Sequence, residues 1–291
     1  MVRILHVVPG LLQQWNGISV AARMIAKSQC ADLCETKDFV RGSVPFMVYD
    51  EIWVHSNWWT PTLMACLKVI RAKKPLVRMT HANLDPIRYR SKHWKKMLVS
   101  PIERYLYRHT SRVVVTCEEE KDWCIDWGVK AQFQILDLKQ YFNLSRPVVA
   151  IPRDRELRIL FLGRNDPLKG VKYLETVVDE LNNEVQSISS EVSRGRHIEL
   201  QIVSSKFGEE LERIWGWCDV LVLPTLTENF GLVVAEAIER GKYVVITDGA
   251  PAWSDIRSEH GVYIKGYRDA SDTTRVHLLK SALMRVLDNR V

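Results

Sequence analysis

Short apolar runs alternate with longer stretches of helical spacing along the whole 291-residue chain. The apolar runs predict strands over 3–8, 52–55, 76–80, 112–116 and 133–136, and a second set over 158–162, 197–203, 220–224, 244–247 and 262–264. Between them the apolar positions recur every three or four residues, as at Val171, Leu174, Val177, Val178 and Leu181, which is the stripe of a helix packed on one face. The strands are nearly continuous Val, Ile and Leu rather than alternating. That pattern belongs to parallel sheets covered by helices on both faces. In such sheets ligands bind outside the carboxyl ends of the strands. Two prolines and a polar cluster in LSRPVVAIPRDRE, residues 144–156, separate two such blocks. The expectation is two Rossmann-like domains with parallel sheets facing a cleft, 1–148 and 149–291. A last helical stretch near 273–288 has no strand after it, and packs on the second domain or crosses back to the first.

Composition narrows this picture only a little. Apolar content of 46% and charged content of 26% are ordinary for a globular chain. No apolar run reaches the roughly 18 residues of a membrane span, and MVRILHVVPG reads as a first strand rather than a signal peptide. The six cysteines, at 30, 34, 66, 117, 124 and 218, form no C-x-x-C pair and no zinc spacing. Free thiols in a reducing cytosol are expected. No metal-ligand cluster is expected either.

Two segments carry chemistry. In VLVLPTLTENFGLVVAEAIERGKYVVIT, residues 220–247, a buried strand runs through a polar loop into a helix opening at Gly231. A helix N-terminus at a strand's carboxyl end offers free N–H groups and a positive dipole end to an anion. Gly231 lets a ligand approach the backbone. Glu228 and Glu236 bracket the turn, and a carboxylate, which only accepts hydrogen bonds, suits sugar hydroxyls. In LRILFLGRNDPLKGVKYLETVVDEL, residues 157–181, a strand ends at Gly163, with Arg164 next and Lys169 before the following helix. A fork and a point charge there would neutralise a diphosphate. The segment is not a Walker A loop, because Leu168 precedes the lysine and Gly170 follows it. Taken singly, each segment also reads as a solvated turn and an ordinary helix start.

Together, GR-x4-KG and, further on, TENFGLVVAEA, with Glu228 and Glu236 eight residues apart, resemble the donor domain of the family 4 retaining glycosyltransferases of the GT-B fold. The resemblance covers about residues 157–265, and GAPAWSDI at 249–256 is similar to a downstream turn of bacterial members. ILHVVPG with Asn16-Gly17-Ile18, PLVRMTHANLDP, and SRVVVTCEEEKDWCIDWGV resemble units of the family's first domain. The resemblance implies a nucleoside-diphosphate sugar as donor substrate, no cofactor, and retention of anomeric configuration. Arg164 and Lys169 would bind the diphosphate and Glu236 the ribose. Glu228 would hold the transferred sugar. Gly17, Gly163, Asn229, Phe230, Gly231 and Leu232 would complete the donor site, and His81 would lie near the reacting sugar. The first loop has one glycine where members often have two. Only about sixteen residues separate the strands ending near 203 and starting at 220, where members usually carry a further helix–strand unit.

The net charge of +6 is concentrated. Residues 88–112 hold eight Lys or Arg against Glu103 alone, so this segment carries +7 and the remainder −1. With Tyr89, Trp94, Tyr105 and Tyr107 interleaved, it reads as a solvated helix face, an anionic membrane surface or, less favoured, a nucleic-acid surface. The expected protein is therefore a cytoplasmic hexosyltransferase, metal-independent and peripheral on the membrane face, with a glycan or lipid-linked acceptor. Alternatives are a non-catalytic nucleotide-sugar binder and a nucleic-acid-binding or DNA-modifying glycosyltransferase.

Overall fold

A computed structural model of the chain describes residues 2–13, 16–91, 93–186 and 197–289. The chain divides into two compact units, Met1–Tyr141 and Phe142–Val291. Each is a parallel sheet wrapped by helices, as the two blocks of strand and helix predict.

In the first unit the strands are β1 (Ile4–Val8), β2 (Asp32–Glu35), β3 (Glu51–His55), β4 (Leu76–Met79), β5 (Arg112–Val115) and β6 (Gln132–Ile135), in the order β2-β1-β3-β4-β5-β6. The helices are α1 (Gly17–Gln29), α2 (Thr36–Arg41), α3 (Thr60–Arg71), α4 (Pro86–Arg90), α5 (His93–Arg108) and α6 (Glu118–Trp127). Strand β2 was not expected: its sequence is DLCE and only Cys34 of it is buried. It forms because β1 supplies a parallel partner, with Leu33 beside His6 and Cys34 beside Val7. Leu5, Val7, Ile52, Val54 and Leu76 pack with Phe39, Cys66, Val69 and Leu106. Val113 and Val115 pack with Leu84, Tyr107 and Cys124. Each such buried side chain contributes about 1.5–3 kcal/mol relative to exposure.

In the second unit β7 (Leu157–Leu162), β8 (Ile198–Val203), β9 (Val220–Leu223), β10 (Tyr243–Thr247) and β11 (Gly261–Ile264) lie in the order β11-β10-β9-β7-β8. Its helices are α7 (Val171–Gln186), α8 (Gly208–Trp217), α9 (Leu232–Glu239) and α10 (Asp272–Asp288). The single helix α8 makes the short crossover from β8 to β9. The terminal helix α10 packs on α7 of its own unit, where Lys280 reaches Glu180 and Glu184 at 2.9 and 2.7 Å. Residues after Tyr141 also run along this unit: Val149 N–H donates to the Gly241 carbonyl at 2.8 Å and Arg146 to that of Glu239 at 3.0 Å. In both sheets the strand order reverses once, between β1 and β3 and between β7 and β9. Those reversals open the crevices where ligands of open α/β sheets bind.

Helix α5 keeps the cations of the basic segment at the surface but turns its one acid and part of its aromatics inward. Glu103, its one acid, is wholly buried, paired with Arg78 at 2.6 Å and accepting from the Trp58 N–H at 2.8 Å. Tyr107 is buried as well, with the Arg78 guanidinium 4.3 Å from its ring centre. Tyr89 packs against Trp58 with ring centres 5.5 Å apart. Of the four aromatics only Trp94 and Tyr105 face solvent. Lys92 lies outside the described residues. Among the described residues no helix is long and apolar enough to cross a membrane.

Candidate active site

The carboxyl ends of β7 and β9 bring together two segments about sixty residues apart in sequence. After β7 the chain passes Gly163 and Arg164 and makes one tight helical turn, Pro167–Lys169, capped by the Asp166 side chain on the Leu168 N–H at 2.9 Å. Gly170 then turns with φ +68°, and a Cβ there would stand 2.0 Å from the Pro224 carbonyl oxygen. Only glycine allows that contact and that dihedral at once. The two loops are stitched by the Leu226 N–H on the Leu168 carbonyl at 2.8 Å. Lys169 and Glu228 consequently form a salt bridge, their side chains only 12% and 16% exposed.

The loop after β9 is shaped from below by the turn after β10. The Glu228 N–H donates to the Gly249 carbonyl at 2.7 Å, and the Thr247 hydroxyl to that of Thr225 at 2.5 Å. A Cβ on Gly249 would lie 2.0 Å from the Thr225 oxygen. The Phe230 side chain is buried between Phe142 and Trp253, at ring separations of 6.2 and 5.1 Å. Trp253 also donates its indole N–H to the Phe230 carbonyl at 2.5 Å. Gly231, at φ +75°, precedes α9, and no side chain caps that helix. Its leading amides, with Leu232 first, remain available to an anion. Asn229 directs its backbone N–H to the Glu228 carboxylate at 3.0 Å.

Arg164 is exposed and makes no hydrogen bond or ion pair with the described residues. Glu236 sits half-buried on α9. Burial pushes its carboxyl pKa up, with Arg240 opposing. A carboxylate held partly out of water gains most when hydroxyl donors arrive. The structure thus joins Lys169, Glu228, Asn229, Phe230, Gly231 and Leu232 into one loop cluster, with Gly163 and Arg164 on the neighbouring strand end and Glu236 on the adjoining helix. The sequence did not reveal that Lys169 already has a carboxylate partner, nor that Gly249, Thr225 and Trp253 hold the loop. GAPAWSDI was visible as a motif, but no local signal tells that its glycine touches a carbonyl more than twenty residues away.

In the first unit Gly17 opens α1, behind Asn16, whose side chain caps the Ile18 N–H at 3.1 Å. The amides of Gly10 and Leu11 are taken by the Glu35 carboxylate, at 3.2 and 2.7 Å. His81 follows β4 in a left-handed backbone conformation, φ +52°, as does Ala82 at +54°. The Glu120 carboxylate fixes this strained turn by accepting from the Thr80 hydroxyl and the Ala82 N–H. His81 is 1% exposed, and burial pushes its pKa down to about 3. It is therefore a neutral hydrogen-bonding group at neutral pH. Its Nε2 meets His55 Nδ1 at 2.9 Å, and His55 Nε2 meets His6 Nδ1 at 2.9 Å.

Residues 48–135 match the glycosyl transferase 4-like domain family, and residues 156–279 match the glycosyl transferases group 1 family. An uncharacterised 41.2 kDa protein of the cps region of Klebsiella pneumoniae is 26% identical over 69% of this chain, which spans 61% of that protein's length. Sucrose-phosphate synthase from Thermosynechococcus elongatus has a similar fold at 15% identity and a TM-score of 0.74, with 99% of this chain and 90% of that one covered. Anabaena HepE in complex with UDP-glucose gives 0.63 at 15% identity, with 100% and 95% covered. An E. coli trehalose-6-phosphate protein bound to UDP-2-fluoro glucose gives 0.60 at 12% identity, with 99% and 92% covered. The chain thus carries a glycosyl transferase 4-like domain followed by a glycosyl transferases group 1 domain, on two parallel α/β units with the GT-B type of fold.

Proposed function

We propose that the chain moves a hexose from a nucleoside-diphosphate sugar to an acceptor hydroxyl with retention of configuration, and without a metal ion. The observation that carries this reading is the Lys169–Glu228 pair at the β7/β9 crevice, beside the uncapped start of α9. In the reaction the bond between the anomeric carbon and a diphosphate oxygen breaks. The acceptor oxygen bonds to that carbon from the same face, and its proton passes to the departing diphosphate. Arg164, Lys169 and the amides at Gly231 and Leu232 stabilise the negative charge that builds on the diphosphate. The Lys169–Glu228 pair places a cation and a hydroxyl acceptor side by side, where diphosphate meets sugar. Glu236 takes the ribose hydroxyls.

HepE binds UDP-glucose, so UDP-glucose is the first donor to test, followed by GDP- and ADP-sugars in a calorimetric screen. Glu236→Ala should weaken binding of the free nucleoside diphosphate by at least about tenfold, the scale of a hydrogen bond to a charged group. Glu228→Gln should leave that affinity equal to wild type or slightly higher, because it releases Lys169 from an internal anion, while lowering transfer. Equal losses of nucleotide affinity in both variants would refute the division of roles. Glu236→Gln carries a stability signature too. The raised pKa means that the ionised carboxylate destabilises the fold above that pKa and not below the ordinary carboxyl range. The variant should therefore melt higher than wild type at pH 7, and the gain should vanish as the pH falls below that range.

Turnover should persist in excess EDTA. Loss on chelation that magnesium or manganese restores would overturn the metal-free mechanism.

Helix α5 favours a membrane over nucleic acid as the second partner. Trp94, Met97, Leu98, Ile102 and Tyr105 fall on one helical stripe and are 62%, 56%, 68%, 45% and 46% exposed. Lys95, Arg104 and Arg108 flank them. An apolar stripe edged by cations enters a lipid interface, whereas a phosphate backbone needs only the cations. Each such cation near an anionic bilayer contributes about 1 kcal/mol. Co-sedimentation with anionic liposomes should exceed that with neutral ones, and Trp94→Ser with Leu98→Ser should abolish it even at low salt. Equal sedimentation with both vesicle types would refute docking. Salt-sensitive DNA binding that survives the double change would make nucleic acid the partner.

A further inference from the structure

Strand β2 has a task that its composition did not announce. It pairs with β1 so that Glu35 lies beside Val8, the last residue of that strand. Glu35 also stands at the N-cap of α2, yet its side chain caps nothing there. The carboxylate turns instead to the loop that leaves β1. One oxygen accepts from the Gly10 N–H at 3.2 Å and the other from the Leu11 N–H at 2.7 Å.

Two successive amides converging on one group, one of them from a glycine at φ +68°, form the concavity that holds a phosphate or carboxylate. The loop is fixed around that seat. The Gly10 carbonyl accepts from the Ser19 hydroxyl at 2.8 Å and from the Gln13 N–H at 2.9 Å. The Pro9 carbonyl accepts from the Asn16 side chain at 3.0 Å. A Cβ on Gly10 would lie 2.9 Å from the side chains of both Asn16 and Gln13. The seat lies at the carboxyl end of β1, by the β1/β3 reversal where ligands of such sheets bind. In this chain its anion is built in. Glu35 is half-buried, and the two amides use one acceptor site on each of its oxygens. A carboxylate has about four such sites. The remaining ones suit hydroxyl donors, whereas a phosphate meets a like charge on the very amides it needs.

We propose that Glu35 sets the acceptor specificity of the first unit: its carboxylate fills the phosphate seat of the β1 loop and takes hydroxyls, so the part of the acceptor that enters this crevice is an uncharged polyol. The filled seat stands on its geometry alone. That the ligand of this crevice is the acceptor rests on the reading of the second unit's crevice as the donor site. Glu35→Ser empties the seat and leaves α2 with a favoured N-cap residue. Glu35→Gln keeps the length of the side chain and removes its charge.

The experiment is ¹H–¹⁵N correlation on the full chain, with the Gly10 and Leu11 amides as local reporters, together with kinetics. The probes are inorganic phosphate and glucose 6-phosphate. Neither should move the two signals in wild type. Both should move them saturably in Glu35→Ser, with affinity at least about tenfold above wild type, the scale of a hydrogen bond to a charged group. Among paired acceptors that differ only by a phosphate, wild type should turn over the neutral member at least about tenfold better in kcat/KM. Glu35→Ser should narrow that ratio, chiefly through KM. Should Glu35→Ser fail to fold, Glu35→Gln makes the same test, since it lifts the like charge. Gly10 and Leu11 signals that ignore phosphate in the folded variant overturn the seat and leave Glu35 a tie between loop and strand. A wild type that prefers the phosphorylated member overturns the specificity. Failure of wild type to bind any nucleoside-diphosphate sugar would instead strike the donor reading and leave the amide result standing.

Discussion

Replacing Arg164 by alanine is expected to lower kcat by about 10²–10³-fold, the effect of removing one preorganised stabiliser of transition-state charge. Arg164 is exposed at the carboxyl end of β7 and bonds to none of the described residues. Its removal therefore orphans no buried group, and thermal unfolding should match wild type. The contrast with Lys169 is informative. Lys169 is already paired with Glu228, so part of what it gives the diphosphate is offset by the partner it shares. Arg164 has no such internal competitor and should show the larger kinetic loss. Arg164→Lys should recover part of the rate, since a point charge keeps the attraction but loses the two-pronged geometry. Steady-state kinetics with the donor identified by calorimetry decides the matter. Activity within a few-fold of wild type in a folded Arg164→Ala protein would remove Arg164 from the mechanism.

Gly249→Ala is expected to destabilise the second unit by about 3 kcal/mol, toward the severe end of overpacking substitutions. The new Cβ would sit 2.0 Å from the Thr225 oxygen and 2.7 Å from Leu226 backbone carbon, and both neighbours are main chain with nowhere to swing. The same loop holds Glu228 through the Gly249 carbonyl at 2.7 Å, so nucleotide binding should fall with stability. For a unit of this size the change corresponds to a drop of about 6–12 °C in Tm. Gly216→Ala is the control. A Cβ at that position, inside α8, meets nothing within 4 Å, and alanine is the better helix former by about 1 kcal/mol. Differential scanning calorimetry should show one variant melting lower than wild type and the other at or above it. Unchanged melting of Gly249→Ala would mean that the two turns do not pack as described.

The alternation of strand and helix was legible because burial on both faces forces a strand to be nearly all Val, Ile or Leu, and such runs stand out from helical spacing. Strand β2 escaped because an edge strand buries one residue, Cys34, and takes its conformation from β1 rather than from its own composition. Arg164, Lys169, Glu228, Gly231 and Glu236 were nameable from two local motifs, since turn chemistry and charge are properties of adjacent residues.

What only the tertiary structure decided are the relations between distant residues. Sequence named Tyr89, Trp94, Tyr105 and Tyr107 among the charges of the basic segment but not the stripe of Trp94, Met97, Leu98, Ile102 and Tyr105 that lies exposed on its helix. Here Glu103, Leu106 and Tyr107 face inward instead, drawn by Arg78 on β4. His81 was readable as a lone histidine after a strand, but His6 and His55 were indistinguishable from ordinary strand residues. Strand register and the order β1-β3-β4 align the three rings. Gly170 and Gly249 looked like turn residues, and their need for a missing Cβ comes from carbonyls of β9's loop. Local sequence determines which conformations a segment prefers and what chemistry it carries. Which of those groups meet is set by the packing of segments far apart in the chain, through contacts that no window of sequence contains.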